Sequence, residues 1–127
     1  MADPELSYLT VGAGAAARRI AVRVRPGSSP PVVWLGGFRS DMKATKATAL
    51  DDWAAQAGRR FVRFDYAAHG ESGGTFTDCT ITSWLEDAQA VLGAHVEAAP
   101  ILVGSSMGGW IACLAARDRA LRGDKTA

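Results

Sequence analysis

The amino-acid sequence predicts an α/β protein in which an antiparallel hairpin precedes parallel strands connected by helices. Short apolar runs at residues 32–35, 61–64 and 101–103 have the composition of strands that are buried on both faces. Segments with apolar residues at helical spacing lie between and after these runs. Strands that alternate with helices form parallel sheets with right-handed crossovers, which gives the predicted order β-β-β-α-β-α-β-α.

The composition is that of an ordinary globular protein. The chain has 127 residues, 48% of them hydrophobic, and 14 Lys plus Arg against 13 Asp plus Glu give a net charge of +1. We predict one domain over residues 1–127, with an N-terminal hairpin in 1–30, a β/α core in 31–116 and a polar tail in 117–127. The balanced charge provides no basic field, so we expect no nucleic-acid partner.

The cysteines and the N-terminal residues indicate the cellular location of the protein. Neither Cys79 nor Cys113 lies in the spacing of a zinc site or a disulfide framework. Asp3 and Glu5 are acidic where a signal peptide carries basic charge, and no apolar run approaches the roughly 20 residues that span a bilayer. We therefore expect a cytoplasmic protein with no metal, no cofactor and no membrane insertion.

The N-terminal segments have the alternating pattern of antiparallel strands. In residues 19–25, Ile20, Val22 and Val24 alternate with mostly charged neighbours, which predicts a strand with one face exposed to water. Leu6–Val11 is expected to pair with this strand across the glycine-rich connection of residues 12–14. Residues 27–31 contain glycine and two prolines, and they break the pattern before the first buried strand.

Helical patterns cover residues 43–57 and 84–96, and a third helix is expected to start at Met107 and run toward Arg117. Ser83 and Glu86 form a candidate capping box for the second helix, and Thr80 is an alternative cap. The apolar stripes consist of Ala47, Leu50, Ala54 and Ala57 in the first helix and of Trp84, Ala88 and Val91 in the second.

The most informative segment is residues 101–110, where a buried strand runs directly into Gly-x-Ser-x-Gly and then into a helix. This motif places its serine on a strained turn, so Gly104 and Gly108 provide the small residues required on either side of Ser106. The Met107 amide, at the helix N-terminus, is expected to face a developing oxyanion. The pattern indicates a nucleophilic serine, and the alternative is a small-residue turn that only packs helix against strand.

A second backbone donor for an oxyanion is expected in the loop after the first buried strand. That loop contains Gly36, Gly37 and Phe38, and its glycines allow backbone to approach a bound carbonyl. The Phe38 amide is the candidate donor. The alternative is an ordinary strand-to-helix turn.

Over residues 32–116 the chain resembles the α/β-hydrolase family, and more narrowly a subgroup with acyl-protein thioesterases and acyl-glucuronide esterases. The matching segments are residues 35–38, 46–47, 61–66, 70–74 and 101–110. The resemblance implies the N-terminal part of an α/β-hydrolase fold, with Ser106 as nucleophile and the Met107 and Phe38 amides as oxyanion hole. It also implies a small carboxylic ester or thioester as substrate, an acylated protein among the candidates, and no cofactor.

The chain departs from the family pattern after Ser106. The family's acid and histidine follow the nucleophile in chain order, and no histidine follows Ser106 here. Asp118 and Asp124 lie at the polar end of the third predicted helix, so neither is assigned as the acid. His69 is assigned a loop-stabilising role and His95 a surface or packing role.

Other residues receive structural interpretations. Asp65 and Ser72 are expected to support turns through hydrogen bonds to the backbone. Residues 12–17 match a Gly-x-Gly-x-x-Ala nucleotide-binding pattern, but a strand rather than a helix follows almost at once, so no nucleotide site is predicted.

We therefore expect the N-terminal half of a serine hydrolase, truncated after the helix that follows Ser106 and inactive or nearly so on its own. The alternative is a non-catalytic binding or assembly module on a shortened fold. In both cases residues 101–103 are expected to form an exposed apolar sheet edge, which favours self-association.

Overall fold

The structure, a computed structural model, describes residues 3–124 and 126. Met1 and Ala2 of the predicted hairpin segment, and Lys125 and Ala127 of the predicted polar tail, lie outside the described residues. The strands and helices occur in the predicted order. They are β1 (Leu6–Val11), β2 (Arg18–Arg25), β3 (Ser28–Leu35), α1 (Thr45–Ala57), β4 (Arg59–Phe64), α2 (Ile81–His95), β5 (Ile101–Gly104) and α3 (Met107–Leu121).

The strands form a mixed sheet in the order β1-β2-β4-β3-β5. β1 and β2 form the antiparallel hairpin, and β2 is antiparallel to β4. β3 lies in the middle of the parallel part, between β4 and β5. The predicted α/β class and the succession of hairpin and parallel strands are confirmed.

The helices cover the two faces of the sheet. α1 contacts β4 and β2 on one face, whereas α2 and α3 contact each other and pack on the other face. The chain therefore leaves β3 toward one face and leaves its neighbour β5 toward the opposite face. In α/β sheets, ligands bind in the crevice that such a divergence opens beyond the carboxyl ends of the strands.

The face toward α2 and α3 carries the apolar core. Strand residues such as Ile20, Val22, Leu35 and Val62 are fully enclosed there. Helix residues complete this cluster: Trp84, Ala88, Val91, Leu92, Ile111, Ala112 and Ala115. The helical stripe predicted in α2 is thus confirmed.

The face toward α1 combines a smaller apolar cluster with buried charge, and here the prediction of a water-exposed face on β2 is wrong. Arg23 and Arg25 are buried, because each finds a carboxylate. Arg25 donates two hydrogen bonds to Asp51 of α1, at 2.7 and 2.8 Å, and Arg23 donates one to Glu71 at 2.7 Å. Arg63 of β4 lies 3.5 Å from the same Asp51 carboxylate. Paired charges can be buried at positions where unpaired charges would face water.

Several predicted boundaries shift. β3 begins at Ser28 rather than at residue 32, with a register irregularity where the proline-rich break was expected. α2 is capped by Thr80, whose hydroxyl accepts from the Ser83 amide while the Ser83 hydroxyl accepts from the Thr80 amide. The predicted Ser83–Glu86 capping box is therefore wrong, and the alternative prediction, Thr80 as the cap, is confirmed. α3 continues past Arg117 to Leu121, into the predicted polar tail.

Two further expectations concern turns and edges. Gly14–Ala16 forms a single 3-10 turn, so the glycine pattern near the N-terminus does not open a nucleotide-binding helix. β5 is an edge strand of the described sheet, with Ile101, Leu102 and Val103 half-buried. Self-association through this edge stays a prediction.

Replacing Asp51 with alanine is expected to destabilise the fold. Asp51→Ala leaves Arg25 and Arg63 buried beside each other without their shared carboxylate, which costs about 3–5 kcal/mol of unfolding free energy. Urea unfolding measures this change. The control is Asp52→Ala at the exposed neighbouring position, where a change within about 0.5 kcal/mol is expected. Equal losses in the two variants would contradict a stabilising role of Asp51 as the shared partner of Arg25 and Arg63.

The contribution of Asp51 is also expected to depend on pH. Burial is the largest influence on the pKa of Asp51 and raises it, but the hydrogen bond from Arg25 and the charge of Arg63 together hold that pKa below the ordinary value of 3.8. A lowered carboxyl pKa stabilises the fold above the unfolded pKa and loses that effect as pH falls through the folded pKa. The stability difference between the wild type and Asp51→Ala should therefore shrink below pH 3.8, as followed by urea unfolding.

Candidate active site

The candidate site lies where β3 and β5 end side by side. Leu35 and Gly104 are paired at the carboxyl ends of these strands, and the Ser105 amide donates to the Leu35 carbonyl at 3.2 Å. The loops that leave the two strands therefore begin next to each other. This is the crevice that the divergent helices open.

Ser106 has the strained backbone that its motif requires. Its φ of 55° and ψ of −120° lie in a region that residues other than glycine rarely adopt. A Cβ on Gly104 would lie 2.3 Å from the Gly108 carbonyl oxygen, and a Cβ on Gly108 would lie 2.0 Å from the Leu35 carbonyl oxygen. Both glycines are thus required sterically. Ser106 is exposed, and its hydroxyl does not cap α3.

Two backbone amides beside Ser106 are uncommitted. Within residues 3–124 and 126, neither the Met107 amide nor the Phe38 amide donates a hydrogen bond. Met107 is the first residue of α3, where amides lack intrahelical acceptors. A Cβ on Gly37 would lie 3.8 Å from the Ser106 Cβ, so the loop that carries Phe38 passes directly beside the serine.

The loop after β3 is held by His69. The Arg39 amide donates to His69 Nε2 at 3.0 Å, so the neutral ring carries its proton on Nδ1 and donates it to the Ala67 carbonyl at 3.0 Å. Both ring nitrogens are occupied, and the ring is buried. His69 therefore has the loop-stabilising contacts expected of it.

Asp65 connects the loops that follow β3 and β4. Its carboxylate accepts hydrogen bonds from the Met42 amide at 2.8 Å and from the Glu71 amide at 2.9 Å. Burial raises the pKa of Asp65, and the two amide bonds oppose that rise. Ser72 donates to the Asp65 carbonyl and accepts from the Ala21 amide. Asp65 and Ser72 thus support turns as expected.

An aromatic surface borders the two loops. The rings of Phe38, Phe76, His69 and Trp84 contact one another with centroids 5.2 to 6.3 Å apart. Phe38 is 51% exposed, and the Arg39 guanidinium lies 5.6 Å from its ring centre. A cleft of about 260 Å³ opens here and is lined in part by Arg39, His69 and Phe76.

Sequence reasoning missed some residues around this site. Lys46 of α1 donates to the Ser105 hydroxyl at 3.2 Å, and Arg39 supplies the amide that His69 accepts. Asp87 of α2 is fully buried, where it pairs with Arg18 and accepts from the Ala67 amide. The matching segment 46–47 was a signal for Lys46, but no pattern indicated the roles of Arg39 and Asp87.

Other titratable residues are engaged elsewhere. His95 ends α2, next to Arg60 at the start of β4, so it lies at the amino ends of the parallel strands, whereas Ser106 lies at their carboxyl ends. Burial lowers the pKa of His95, and the charge of Arg60 adds to that effect. Asp118 accepts a hydrogen bond from Gln89, and Asp124 pairs with Arg122.

No group of three or more His, Cys, Asp or Glu side chains in residues 3–124 and 126 could hold a metal ion. None of the helices in that part of the chain is long and apolar enough to cross a bilayer.

A mixed sheet with helices on both faces, and a strained serine at the carboxyl edge of its parallel strands, is the arrangement of α/β-type hydrolases. The sequence model described as "Alpha/beta hydrolase family" matches residues 26–124. The chain belongs to the alpha/beta hydrolase family.

Curated relatives in this family are thioesterases. The chain is 36% identical over 92 residues to "Palmitoyl-protein thioesterase ABHD10, mitochondrial" of Bos taurus, which covers 72% of this chain and 30% of the relative. It is 36% identical over 100 residues to the Mus musculus protein of that name, with 79% and 34% covered. The chain thus spans about a third of the length of these relatives. Because their names place them in mitochondria, the cytoplasmic location stays a prediction.

Solved structures share the fold. A putative hydrolase from Agrobacterium vitis S4 superposes with a TM-score of 0.91 at 50% identity, over 95% of this chain and 48% of that chain. Mouse alpha/beta hydrolase domain-containing protein 10 superposes with a TM-score of 0.84 at 34% identity, over 91% and 45% of the two chains. These superpositions confirm the predicted α/β-hydrolase fold in its N-terminal part.

A methyl group at Gly108 is expected to disrupt the turn. Gly108→Ala places Cβ 2.0 Å from the Leu35 carbonyl oxygen, so backbone must move, at a cost of about 1–3 kcal/mol in unfolding free energy. Gly109→Ala is the control, because its Cβ would meet the Gly104 carbonyl oxygen at 3.6 Å and alanine favours the helix by roughly 0.5–1 kcal/mol. Urea unfolding distinguishes the two, and similar stabilities would refute the steric argument.

Proposed function

We propose that the chain supplies the nucleophile and the oxyanion site of a serine hydrolase that cleaves acyl thioesters or carboxylic esters. The observation that carries this proposal is the placement of Ser106. Its exposed hydroxyl stands on a strained turn beside two uncommitted amides that belong to different loops. A turn that served packing alone would not require a non-glycine residue at a φ of 55°.

The reaction follows from these positions. Ser106 Oγ attacks the acyl carbonyl carbon, the hydroxyl proton passes to a general base, and the carbonyl π electrons move to oxygen. The resulting oxyanion accepts hydrogen bonds from the Met107 and Phe38 amides. Its collapse expels the thiol or alcohol, which takes up the proton, and water then releases the acid by the reverse sequence. One such donor is commonly worth about 10²–10³ in kcat.

The general base is not one of the two histidines in this chain. His69 has both ring nitrogens in hydrogen bonds, and His95 lies at the opposite end of the parallel strands from Ser106. Asp118 and Asp124 are held by Gln89 and Arg122. We therefore expect these 127 residues alone to turn over substrate weakly, at the level that an oxyanion site without a base supports.

An acyl group attached through a thioester is the substrate that the relatives favour. Their names describe palmitoyl-protein thioesterases, so an acylated protein is included among the substrates. The exposed ring of Phe38 and the adjoining Phe76 offer apolar surface next to the oxyanion site, on which an acyl chain can lie.

Ser106→Ala is expected to abolish hydrolysis of acyl thioesters and covalent labelling by a fluorophosphonate, because both reactions need the Ser106 oxygen. Hydrolysis and labelling are both measured on the full protein that the gene encodes. Ser105→Ala is the matched control, since it removes the neighbouring hydroxyl and its bond to Lys46 but keeps labelling. Undiminished turnover or labelling in Ser106→Ala would overturn the proposal and would leave a binding or assembly role.

A further inference from the structure

We propose that His69 is a positioning residue that holds the Phe38 amide in place for the oxyanion, acting through the backbone of Arg39. This inference rests on the proposed function, because it assigns Phe38 to the oxyanion site. It assigns to a buried histidine a contribution to kcat that is separate from proton transfer.

Two hydrogen bonds determine the orientation of the His69 ring. The Arg39 amide can donate only to an unprotonated nitrogen, so Nε2 is the acceptor and Nδ1 carries the proton. The Nδ1 proton is directed at the Ala67 carbonyl, 3.0 Å away. His69 is 4% exposed and meets the rings of Tyr66 and Trp84 in edge contacts at 5.8 and 5.2 Å. Packing and two hydrogen bonds therefore determine its position.

The His69 ring supports a tight turn in the loop after β3. The Ser40 amide donates to the Gly37 carbonyl at 3.1 Å, which makes Phe38 and Arg39 the central residues of a tight turn. Arg39 has a φ of 59°, a conformation that favours glycine. A non-glycine residue keeps such a φ only where the surroundings enforce it. The hydrogen bond from the Arg39 amide to His69 provides that enforcement.

Gly37 connects this turn to the reacting groups. Gly37 precedes Phe38 and lies beside Ser106, with its added Cβ 3.8 Å from the Ser106 Cβ. A change in the turn would rotate the Phe38 amide relative to the serine. Displacement of a positioned group by about 1 Å can cost about 10²-fold in rate. Loss of the bond from Arg39 should therefore lower kcat.

Two variants separate this role from general support of the fold. In His69→Asn, the amide group replaces Nδ1 and keeps a donor for Ala67, but Arg39 loses its acceptor. In His69→Gln, the amide oxygen reaches the position of Nε2 and keeps an acceptor for Arg39, but the bond to Ala67 is lost. Each variant thus removes one hydrogen bond and part of the aromatic packing, so their structural costs are matched.

We expect His69→Asn to lower kcat for thioester hydrolysis about 10²-fold and His69→Gln to keep kcat within about tenfold of the wild type, with similar KM in the two variants because both lose the same ring. Unfolding midpoints measured in parallel should be similar for the two variants. Equal losses of kcat, or losses confined to KM, would overturn the positioning role. Unchanged turnover in Ser106→Ala would instead reject the proposed function itself.

A spectroscopic measurement tests the geometry independently of activity. In ¹⁵N NMR of the labelled chain, His69 should show a protonated Nδ1 and an unprotonated Nε2, and the Arg39 amide resonance should move in His69→Asn but much less in His69→Gln. A His69 ring protonated at Nε2, or an Arg39 amide resonance that moves in neither variant, would refute the positioning role of His69 whether or not the protein hydrolyses thioesters.

Discussion

The close approach of α3 to the backbone of β3 is the constraint on which the rest of the site depends. Gly108 lies so near the Leu35 and Gly36 carbonyls that no side chain fits between them. The helix can therefore start only one short turn after β5, and that turn places Ser106 at a positive φ. The same contact brings the loop after β3 against the serine. Nucleophile and oxyanion loop are thus consequences of one packing contact.

The loops around this contact are held by buried polar side chains rather than by apolar packing alone. Asp65 accepts two amides from segments on either side of it, and His69 bridges two loops. Asp87 and Trp84 of α2 bind the amide and the carbonyl of Ala67, respectively. Backbone hydrogen bonds of this kind define position within a fraction of an ångström, which is the precision that oxyanion binding requires.

Local sequence patterns predicted most of the fold, because periodicity and Gly-x-Ser-x-Gly report on neighbours along the chain. They predicted the element order, the hairpin and the place of Ser106. The errors arose where a distant partner changed the meaning of a residue. The alternating pattern predicts that Arg23 and Arg25 face solvent, but in the structure they pair with Glu71 and Asp51. Arg39 meets His69 thirty residues away, and no local pattern encodes that contact.

The charged network of the sheet should respond to temperature differently from the apolar clusters. The Arg25–Asp51–Arg63 network lies between the sheet and α1, beside a small apolar cluster, whereas the larger apolar cluster lies on the opposite face. The cost of removing charges from water falls on heating, while stabilisation by apolar burial levels off. The Arg25–Asp51–Arg63 network therefore contributes a growing share of the stability of the fold as temperature rises.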